Sequence, residues 1–569
     1  MRFQKRTTII AISLASLSFL SCSSSYAALA DGTYAGEAKG NNGPIALAVT
    51  IEGQQIRKIE LTKSNETPGL GTEAIRVLSD EIIAQQSLGV DAVTGATNSS
   101  EALKSAIRQA LKAAGGTEAD LAKSQSPVPD KAAPSDVSTD IVVVGAGGAG
   151  MTAAIAAKEH GAEVILLEKL PVVGGTTLLA STALNAGGSS VQMAMPKPYT
   201  RDDYLKKLEA GAGGKDLVNV RQLADLSGET VDWLIGMGAD LSRVINGSQH
   251  TPKDGGALGI SLVPVLKNRI DALGIDTRTQ NDVTDLIIGS DGRVSGVRVK
   301  APQGSYEIHA KAVILATGGF ASNPELVKKY TPQWYGYPST ASVGATGDGI
   351  VMAEKAGAAL AQMSKAGPQT VAYDTGRGAV SLTNVRYNGA ILVNQKGVRF
   401  ANELGSTAVL GKAITEQPGG VAYLIFDQSA VDHAALMKTY KQMGYFVEAP
   451  TIGVLAQKFG IPAEALGKTV AAWHEVYDTK SDKAFGRKDS IFSRIDKAPF
   501  YGQKISPASQ TTYGGIVRDS KARALRSDGS VIPGLYAAGE TACQYGQGVT
   551  IATVLGKLAG EEAAKEVAK

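Results

Sequence analysis

Residues 140–150 have the sequence DIVVVGAGGAG, an apolar run followed by three glycines in a G-x-G-x-x-G pattern. The pattern predicts a buried strand, a tight turn at Gly145 and a helix. Gly147 lets the backbone approach a pyrophosphate, Gly150 lets helix and strand pack closely, and the helix N-terminus offers free N–H groups to phosphate. Glu168 ends the next predicted strand, 164–168, at the distance where a carboxylate binds ribose hydroxyls. Strand, glycines, helix and acid together predict a dinucleotide site.

Three further segments favour FAD over NAD. The sequence GGTT at 174–177 follows the acid, AVILATGG at 312–319 is a late strand and turn, and TGDG at 346–349 precedes an alanine-rich helix. A second G-x-G-x-x-G for a nicotinamide dinucleotide is missing from the sequence. We therefore expect non-covalent FAD, and besides the four residues above we assign to it Ala149, Lys169, Gly174, Gly175, Thr176, Thr177, Thr182, Ala183, Thr317, Gly318, Asp348, Glu540, Thr553 and Val554.

The composition narrows the class of protein. Of 569 residues, 43% are hydrophobic and 20% are charged, which excludes a wholly disordered chain and a polytopic membrane protein. The chain has 57 Lys and Arg and 54 Asp and Glu, so its net charge is close to zero. This balance gives no reason to expect a nucleic-acid partner.

Residues 1–30 follow the plan of a signal peptide, with a basic start, a short apolar run and small residues before cleavage after Ala30. Export to the periplasm is expected. A lipoprotein anchored through Cys22 is the weaker alternative, because Phe19 stands where a lipobox prefers Leu. Cys22 and Cys543 are the two cysteines of the chain, so the mature protein has no disulfide, and neither a thiolate metal site nor a Cys-x-x-Cys-His haem attachment is expected.

Residues 138–569 resemble the flavoprotein family of soluble fumarate reductases, urocanate reductase and 3-ketosteroid dehydrogenases. The sequence IPGLYAAGE at 532–540 is similar to the late FAD motif of that family. The resemblance implies a closing helix, starting near Thr550, whose N-terminus faces the flavin ring and stabilises negative charge on it.

The sequence DAVTGAT at 91–97 resembles the covalent attachment motif of small FMN-binding domains. The resemblance implies that an FMN transferase links the flavin phosphate to the hydroxyl of Thr97. A phosphodiester there would lie at a helix N-terminus, which we expect to be capped by Ser99.

These motifs predict an α/β protein in which a Rossmann-like FAD-binding domain carries an inserted α+β capping domain and is preceded by a small α+β FMN-binding domain. In the FMN-binding domain we expect strands at 45–52 and 56–62 and helices at 72–86 and 99–114. The expected divisions are the signal peptide 1–30, the FMN-binding domain 31–115, a linker 116–137, the first FAD-binding part 138–359, the capping or substrate domain 360–505, and the second FAD-binding part 506–569.

The expected active site departs from fumarate reductases. Where their pattern has the proton-donating Arg this chain has Thr407, and where it has the proton-path Glu this chain has Thr383, although Arg386 is kept. Without those groups fumarate should bind badly. The candidate catalytic residues are therefore Tyr545, Tyr513 and Tyr373, each a phenol that could donate a proton or hold a carbonyl oxygen, together with Arg386.

The sequence thus predicts an exported FAD-dependent oxidoreductase acting on CH–CH bonds, which reduces an activated C=C bond in a small unsaturated carboxylate or carbonyl acceptor. Electrons would come from a membrane quinol-oxidising cytochrome through FMN to FAD. Two alternatives stay open: a flavin dehydrogenase of a ketone-like substrate, and an electron-transfer flavoprotein without a small substrate. A substrate-enclosing cap argues against the second, since a carrier needs no water-excluding cover.

Overall fold

The computed structural model describes residues 29–40, 43–66, 71–93, 96–116, 134–212, 217–375, 379–543 and 548–569. Residues 1–28 of the expected signal peptide and most of the expected linker lie outside these residues. Within them, every helix is too short or too polar to cross a bilayer.

The N-terminal domain is a three-stranded antiparallel sheet covered by two helices. The strands are Gly32–Lys39, Pro44–Glu52 and Gln55–Lys63 in that spatial order, and the helices are Gly71–Gln85 and Thr97–Ala113. Both predicted strands and both predicted helices are present within two residues of the expected ends. The strand Gly32–Lys39 was not predicted, because its glycines and charges interrupt the apolar alternation that marks a strand.

This domain has a core of its own. Along the middle strand Ile45, Leu47, Val49 and Ile51 alternate with less buried residues, so one face of the sheet is buried against the helices. A Cβ on Gly36 would overlap the carbonyl oxygen of Ala106, so the first strand lies directly on the helix that begins at Thr97.

The FAD-binding domain is built on an eight-stranded mixed sheet. Its parallel strands adjoin in the order Asp276–Arg278, Val164–Leu167, Val137–Val144, Gly304–Leu315 and Val531–Ala537. The remaining strands pair antiparallel at one side, and they are Asp282–Ile288, Val294–Ala301 and Arg523–Leu525. The carboxyl ends of Val137–Val144 and Gly304–Leu315 adjoin, which brings the two predicted glycine turns together.

The helices of this domain cover the sheet and the cofactor turns, together with a small sheet of Leu184–Asn185, Arg243–Ile245 and Gln249–Thr251. They are Gly148–Glu159, Gly175–Leu178, Ser190–Met193, Arg201–Ala212, Leu217–Gly236, Leu258–Ala272, Pro324–Tyr330, Asp348–Lys355 and Gly548–Val567. Short 3-10 turns are formed by Pro332–Trp334 and Gly539–Thr541.

The capping domain is an inserted α+β unit. Its strands are Ala366–Asp374, Ala379–Ser381, Ile391–Val393, Ala422–Asp427, Val447–Ala449 and Phe500–Thr512. Its helical segments are Thr383–Tyr387, Thr407–Thr415, Pro418–Gly420, Gln428–His433, Ala435–Gln442, Ile452–Phe459 and Ala463–Thr479.

The cap leaves and rejoins the FAD-binding domain through a two-stranded neck in which Leu360–Ala361 pairs with Gly515–Ile516. The boundary expected at 360 falls at the first residue of this neck. Its expected end at 505 falls inside the strand Phe500–Thr512, which pairs with Ala366–Asp374 as far as Thr512. The capping domain therefore extends several residues beyond the predicted boundary.

A cluster of buried charges holds the cap together. Glu403 pairs with Arg399 at 2.8 Å and with Arg487 at 3.2 Å, and Arg399 also pairs with Asp482 at 2.9 Å. Arg487 is fully buried and donates to the carbonyl oxygens of Arg386 and Ala390, at 3.1 and 2.8 Å. The cluster therefore fixes the short helix Thr383–Tyr387, which faces the FAD-binding domain.

Glu403→Gln should lower stability by about 3–5 kcal/mol, because it leaves two buried guanidinium groups without a full counter-charge. The measurement is the shift of the thermal unfolding midpoint. The control is Glu307→Gln, which removes the exposed partner of Arg298 and should cost about 1 kcal/mol or less. Equal shifts for the two variants would contradict the structural role of the cluster.

Candidate active site

A large cavity of about 1850 Å³ lies between the carboxyl ends of the FAD-binding sheet and the cap. At one end its wall is the turn containing Gly145, Gly147 and Gly148. At the other end its wall is formed by cap residues, among them Thr383 and Thr407. The cavity therefore joins the predicted cofactor turn to the predicted substrate region.

The glycine turn has the geometry that a pyrophosphate needs. The helix Gly148–Glu159 begins after Gly147, which has no side chain to cap it; the hydroxyl of Thr177 accepts the N–H of Gly148 at 3.2 Å, and Gly148 and Ala149 line the cavity end. A Cβ on Gly147 would find its nearest neighbour, the oxygen of Gly174, 4.0 Å away, whereas a Cβ on Gly150 would overlap the carbonyl oxygen of Gly145. Gly145 itself has a φ of +99°. Protein packing thus requires Gly145 and Gly150, while the space at Gly147 is left for a ligand.

Glu168 lies in the cavity wall at the end of the second strand. Its carboxylate accepts the N–H groups of Ala146 at 2.9 Å and of Leu170 at 2.8 Å, which ties it to the glycine turn. Burial raises its pKa above the ordinary value. Lys169, also predicted, pairs with predicted Asp348 at 2.5 Å on the same wall, so these two residues reach the cavity as an ion pair.

The late motif brings Glu540 to the cavity beside Thr317 and Gly318. Burial raises the pKa of Glu540 to about 7. The hydroxyl of Thr317 accepts the N–H of Gly349 at 3.2 Å, which joins the two predicted turns.

Most of the predicted FAD residues line the cavity. They are Gly145, Gly147, Ala149, Glu168, Lys169, Gly175, Thr176, Thr177, Thr182, Ala183, Thr317, Gly318, Asp348 and Glu540. Gly150 and Gly174 stand behind the wall and shape the turn, since Cβ atoms there would press on protein atoms.

The closing helix Gly548–Val567 presents Gly548, Val549 and Ala552 to the cavity. The predicted residues Thr553 and Val554 are buried away from it: the Thr553 hydroxyl donates to Val549 O at 2.9 Å, and Val554 packs in a hydrophobic cluster with neighbouring helices. The reason is the rotation of this helix about its axis, which is set by its packing against Gly148–Glu159.

Two of the four predicted catalytic residues, Arg386 and Tyr513, line the same cavity. Tyr373 is not in its wall; it packs edge-on against Tyr445 inside the cap, with ring centroids 6.0 Å apart. The prediction for Tyr373 is therefore corrected. Tyr545 lies outside the described residues.

The Arg386 guanidinium is already engaged with protein oxygens. Its Nη1 donates to the carbonyl oxygens of Glu403 at 2.8 Å and Gly405 at 3.3 Å, and its Nη2 donates to the hydroxyl of Tyr387 at 3.2 Å. Its Nε is buried without a hydrogen-bond partner. Burial lowers the pKa of Arg386 below the ordinary value, which favours loss of a proton.

Several cap residues of the wall were missed by the sequence analysis. Gln369 accepts a hydrogen bond from Thr383, and Asn384 donates to the carbonyl oxygen of Ser181 at 3.1 Å, which links the cap to the FAD-binding domain. His433 and Phe492 stack at the wall with centroids 4.0 Å apart. Neutral amides and single rings carry no spacing pattern, so the sequence held no signal for them.

In the FMN-binding domain the helix Thr97–Ala113 begins at Thr97 itself, and its N-cap Ala96 provides no side-chain hydrogen bond. Ser99 is therefore not the cap that the sequence analysis expected; it lies in the first turn and donates to Glu66. Thr97 is half-buried, and an uncapped helix N-terminus leaves N–H groups available to a phosphate. The residues present fit a flavin phosphate on the Thr97 hydroxyl.

The fold and the two sites define a flavin-dependent oxidoreductase. A family model described as an FAD binding domain matches residues 140–551, and one described as an FMN-binding domain, typical of covalent flavin attachment, matches residues 40–112.

Similarity to named proteins narrows the class of flavin-dependent oxidoreductase to which the chain belongs. The chain is 36% identical over 562 residues to urocanate reductase of Eggerthella lenta, covering 93% of this chain and 92% of that protein. It is 37% identical over 471 residues to the fumarate reductase (cytochrome) of Shewanella frigidimarina, covering 79% and 81%. The open conformation of a flavocytochrome c3 fumarate reductase is similar with a TM-score of 0.68 at 31% identity, over 76% of this chain and 79% of that one.

The chain therefore belongs to the FAD-binding family that includes the fumarate and urocanate reductases, and it is a flavin-dependent reductase of C=C bonds with FAD-binding and FMN-binding domains. The prediction of the family, the fold class and both cofactors is confirmed.

Gly147→Val should give folded protein without FAD, because the side chain fills ligand space and touches no protein atom at its Cβ. Gly150→Val should fail to fold, because its Cβ overlaps a backbone oxygen. Circular dichroism and flavin released on denaturation measure the two effects. Normal FAD content in Gly147→Val would refute the pyrophosphate position.

Thr97→Ala should abolish flavin that stays with the chain after denaturation, while leaving extractable FAD unchanged. Thr97→Ser, which keeps a hydroxyl, should retain covalent FMN. The measurement is the intact mass of denatured protein from the native host, and covalent flavin in the alanine variant would rule out the attachment site.

Proposed function

We propose that the protein is an exported reductase of an activated C=C bond in a small acceptor that is neutral or carries one carboxylate. The observation that carries this proposal is the substrate end of the cavity, where Thr383 and Thr407 stand at the positions of the fumarate reductase Glu and Arg. When bound, FAD supplies the hydride for the β carbon of the acceptor.

A dicarboxylate finds few partners in this wall. Among the described wall residues the arginines are Arg386, whose Nη atoms already donate to protein oxygens, and Arg243, which is exposed on the FAD-domain hairpin. The nearby side chains Gln369, Thr383 and Asn384 are neutral. The wall lysines Lys253, Lys480 and Lys488 are solvent-exposed. A second carboxylate buried beside the three neutral side chains would therefore lack a charged donor there, at a cost of several kcal/mol.

The proton for the second carbon is proposed to come from Tyr513 or Arg386. Tyr513 follows the last cap strand, and its hydroxyl lies close above Gly367, where a Cβ would be 2.5 Å away. Arg386 is the second candidate because it lines the cavity and its buried Nε has no hydrogen-bond partner. Either group could protonate a carbanion or stabilise an enolate across the cavity.

The electron path is proposed to begin at a membrane quinol-oxidising cytochrome and to pass through FMN to FAD. The FMN-binding domain at the N-terminal side supports this path, and an FMN transferase would install the flavin on Thr97 during maturation. The basic start, apolar run and small residues of 1–30 support export to the periplasm.

With reduced methyl viologen as donor, fumarate turnover should be lower than that of Arg-bearing relatives by roughly three orders of magnitude, since each 1.4 kcal/mol is about tenfold. Urocanate, cinnamates and enones should be better acceptors. Tyr513→Phe should lower kcat on the best acceptor more than it changes KM. The control is Tyr335→Phe, which removes a hydroxyl from a tyrosine that is 49% exposed and lies outside the cavity wall.

Fast fumarate reduction by the wild type would contradict the inference that Thr407 and Thr383, in place of Arg and Glu, make fumarate a poor acceptor. Full activity of Tyr513→Phe would remove this tyrosine as donor and leave Arg386.

A further inference from the structure

One residue of the FAD-binding domain is buried in the core of the FMN-binding domain. Val172 is 5% exposed and belongs to the same hydrophobic cluster as Val93 and Ala96, the second of which directly precedes Thr97. In the described part of the chain, every other buried member of that cluster comes from residues 45–114.

The segment that carries Val172 also forms the FAD site. Lys169 pairs with Asp348 in the cavity wall, Leu170 lines the cavity, and Val173 packs against the core of the FAD-binding domain. The five-residue segment 169–173 therefore connects the predicted FAD site with the hydrophobic core beside the predicted FMN site.

We propose that Val172 is a docking residue, which seats the FMN-binding domain on the segment 169–173 in the arrangement that permits electron transfer between the flavins. This inference rests on the proposed electron path. In each transfer one electron leaves FMN, which is oxidised by one equivalent, and enters FAD, which is reduced by one equivalent. Two transfers supply the pair consumed by one C=C bond. Val172 forms no bond with either flavin; it sets the distance between them.

Among the described residues, Val172 is the one buried member of this cluster that comes from the FAD-binding domain, so docking should be sensitive to this single side chain. Domains joined by small interfaces move relative to each other by default, and a carboxylate in an apolar cluster must be desolvated without a partner. Val172→Asp should therefore shift the domains toward an undocked state. Because the transfer rate follows the docked fraction, a tenfold loss corresponds to 1.4 kcal/mol.

The test uses holoprotein with both flavins bound. Flash photolysis with a deazaflavin donor introduces one electron, and the FMN-to-FAD relaxation is followed by absorbance. Val172→Asp should slow this relaxation by at least about tenfold and increase the radius of gyration measured by small-angle scattering. Val172→Ile should keep the wild-type rate. The matched control Val398→Asp makes the same change at a cap valine that is 48% exposed, and it should change neither quantity.

A structural defect is distinguished by two further readouts. FAD content and the first oxidation of fully reduced protein by the best acceptor should be unchanged in Val172→Asp, because Val172 does not line the FAD cavity. A wild-type relaxation rate and radius in Val172→Asp would overturn the docking role. Absence of an FMN-to-FAD relaxation in the wild type itself would instead overturn the proposed electron path.

Discussion

The close contact between Gly150 and the carbonyl oxygen of Gly145 is the constraint on which the site depends. With any side chain at residue 150 the helix Gly148–Glu159 could not start where the strand Val137–Val144 ends. This placement fixes the helix N-terminus at the cavity, and the closing helix then packs on it so tightly that Cβ atoms at Gly556 and Gly560 would overlap backbone oxygens. The strand Val137–Val144 ends in the buried residues Val143 and Val144. This strand end and the glycines together set the positions of the FAD-binding residues before any ligand is present.

Local rules made the FAD and FMN motifs predictable, because each depends on backbone geometry within a few residues. The cap was harder to predict. Whether a tyrosine on its strands faces the cavity depends on register, and the pairing of Ala366–Asp374 with Phe500–Thr512 is shifted by irregularities after Gly367 and Gln369. Sequence alternation alone could not place Tyr373 inside the cap and Tyr513 in the wall. The rotation of the closing helix, which turns Thr553 and Val554 inward, is likewise a product of tertiary packing.

The cap combines strong charges in its interior with three neutral polar side chains in the cavity wall. Glu403 forms ion pairs with Arg399 and Arg487 away from the cavity wall. This cluster positions the backbone of Arg386. The amides and hydroxyls of Gln369, Thr383 and Asn384 form the nearby wall. Such a wall can orient an acceptor by hydrogen bonds, but it offers little compensation for two buried negative charges.

The most direct test of this account is the effect of Thr407→Arg on specificity. Thr407 lines the cavity at the start of the helix Thr407–Thr415, so the variant places a guanidinium at the position where the motif resemblance expects the proton-donating Arg. The account predicts that kcat/KM for fumarate rises at least about tenfold relative to that for a neutral enone, the gain that 1.4 kcal/mol of transition-state stabilisation provides. A wild-type protein that already prefers fumarate, with no gain in the variant, would contradict it.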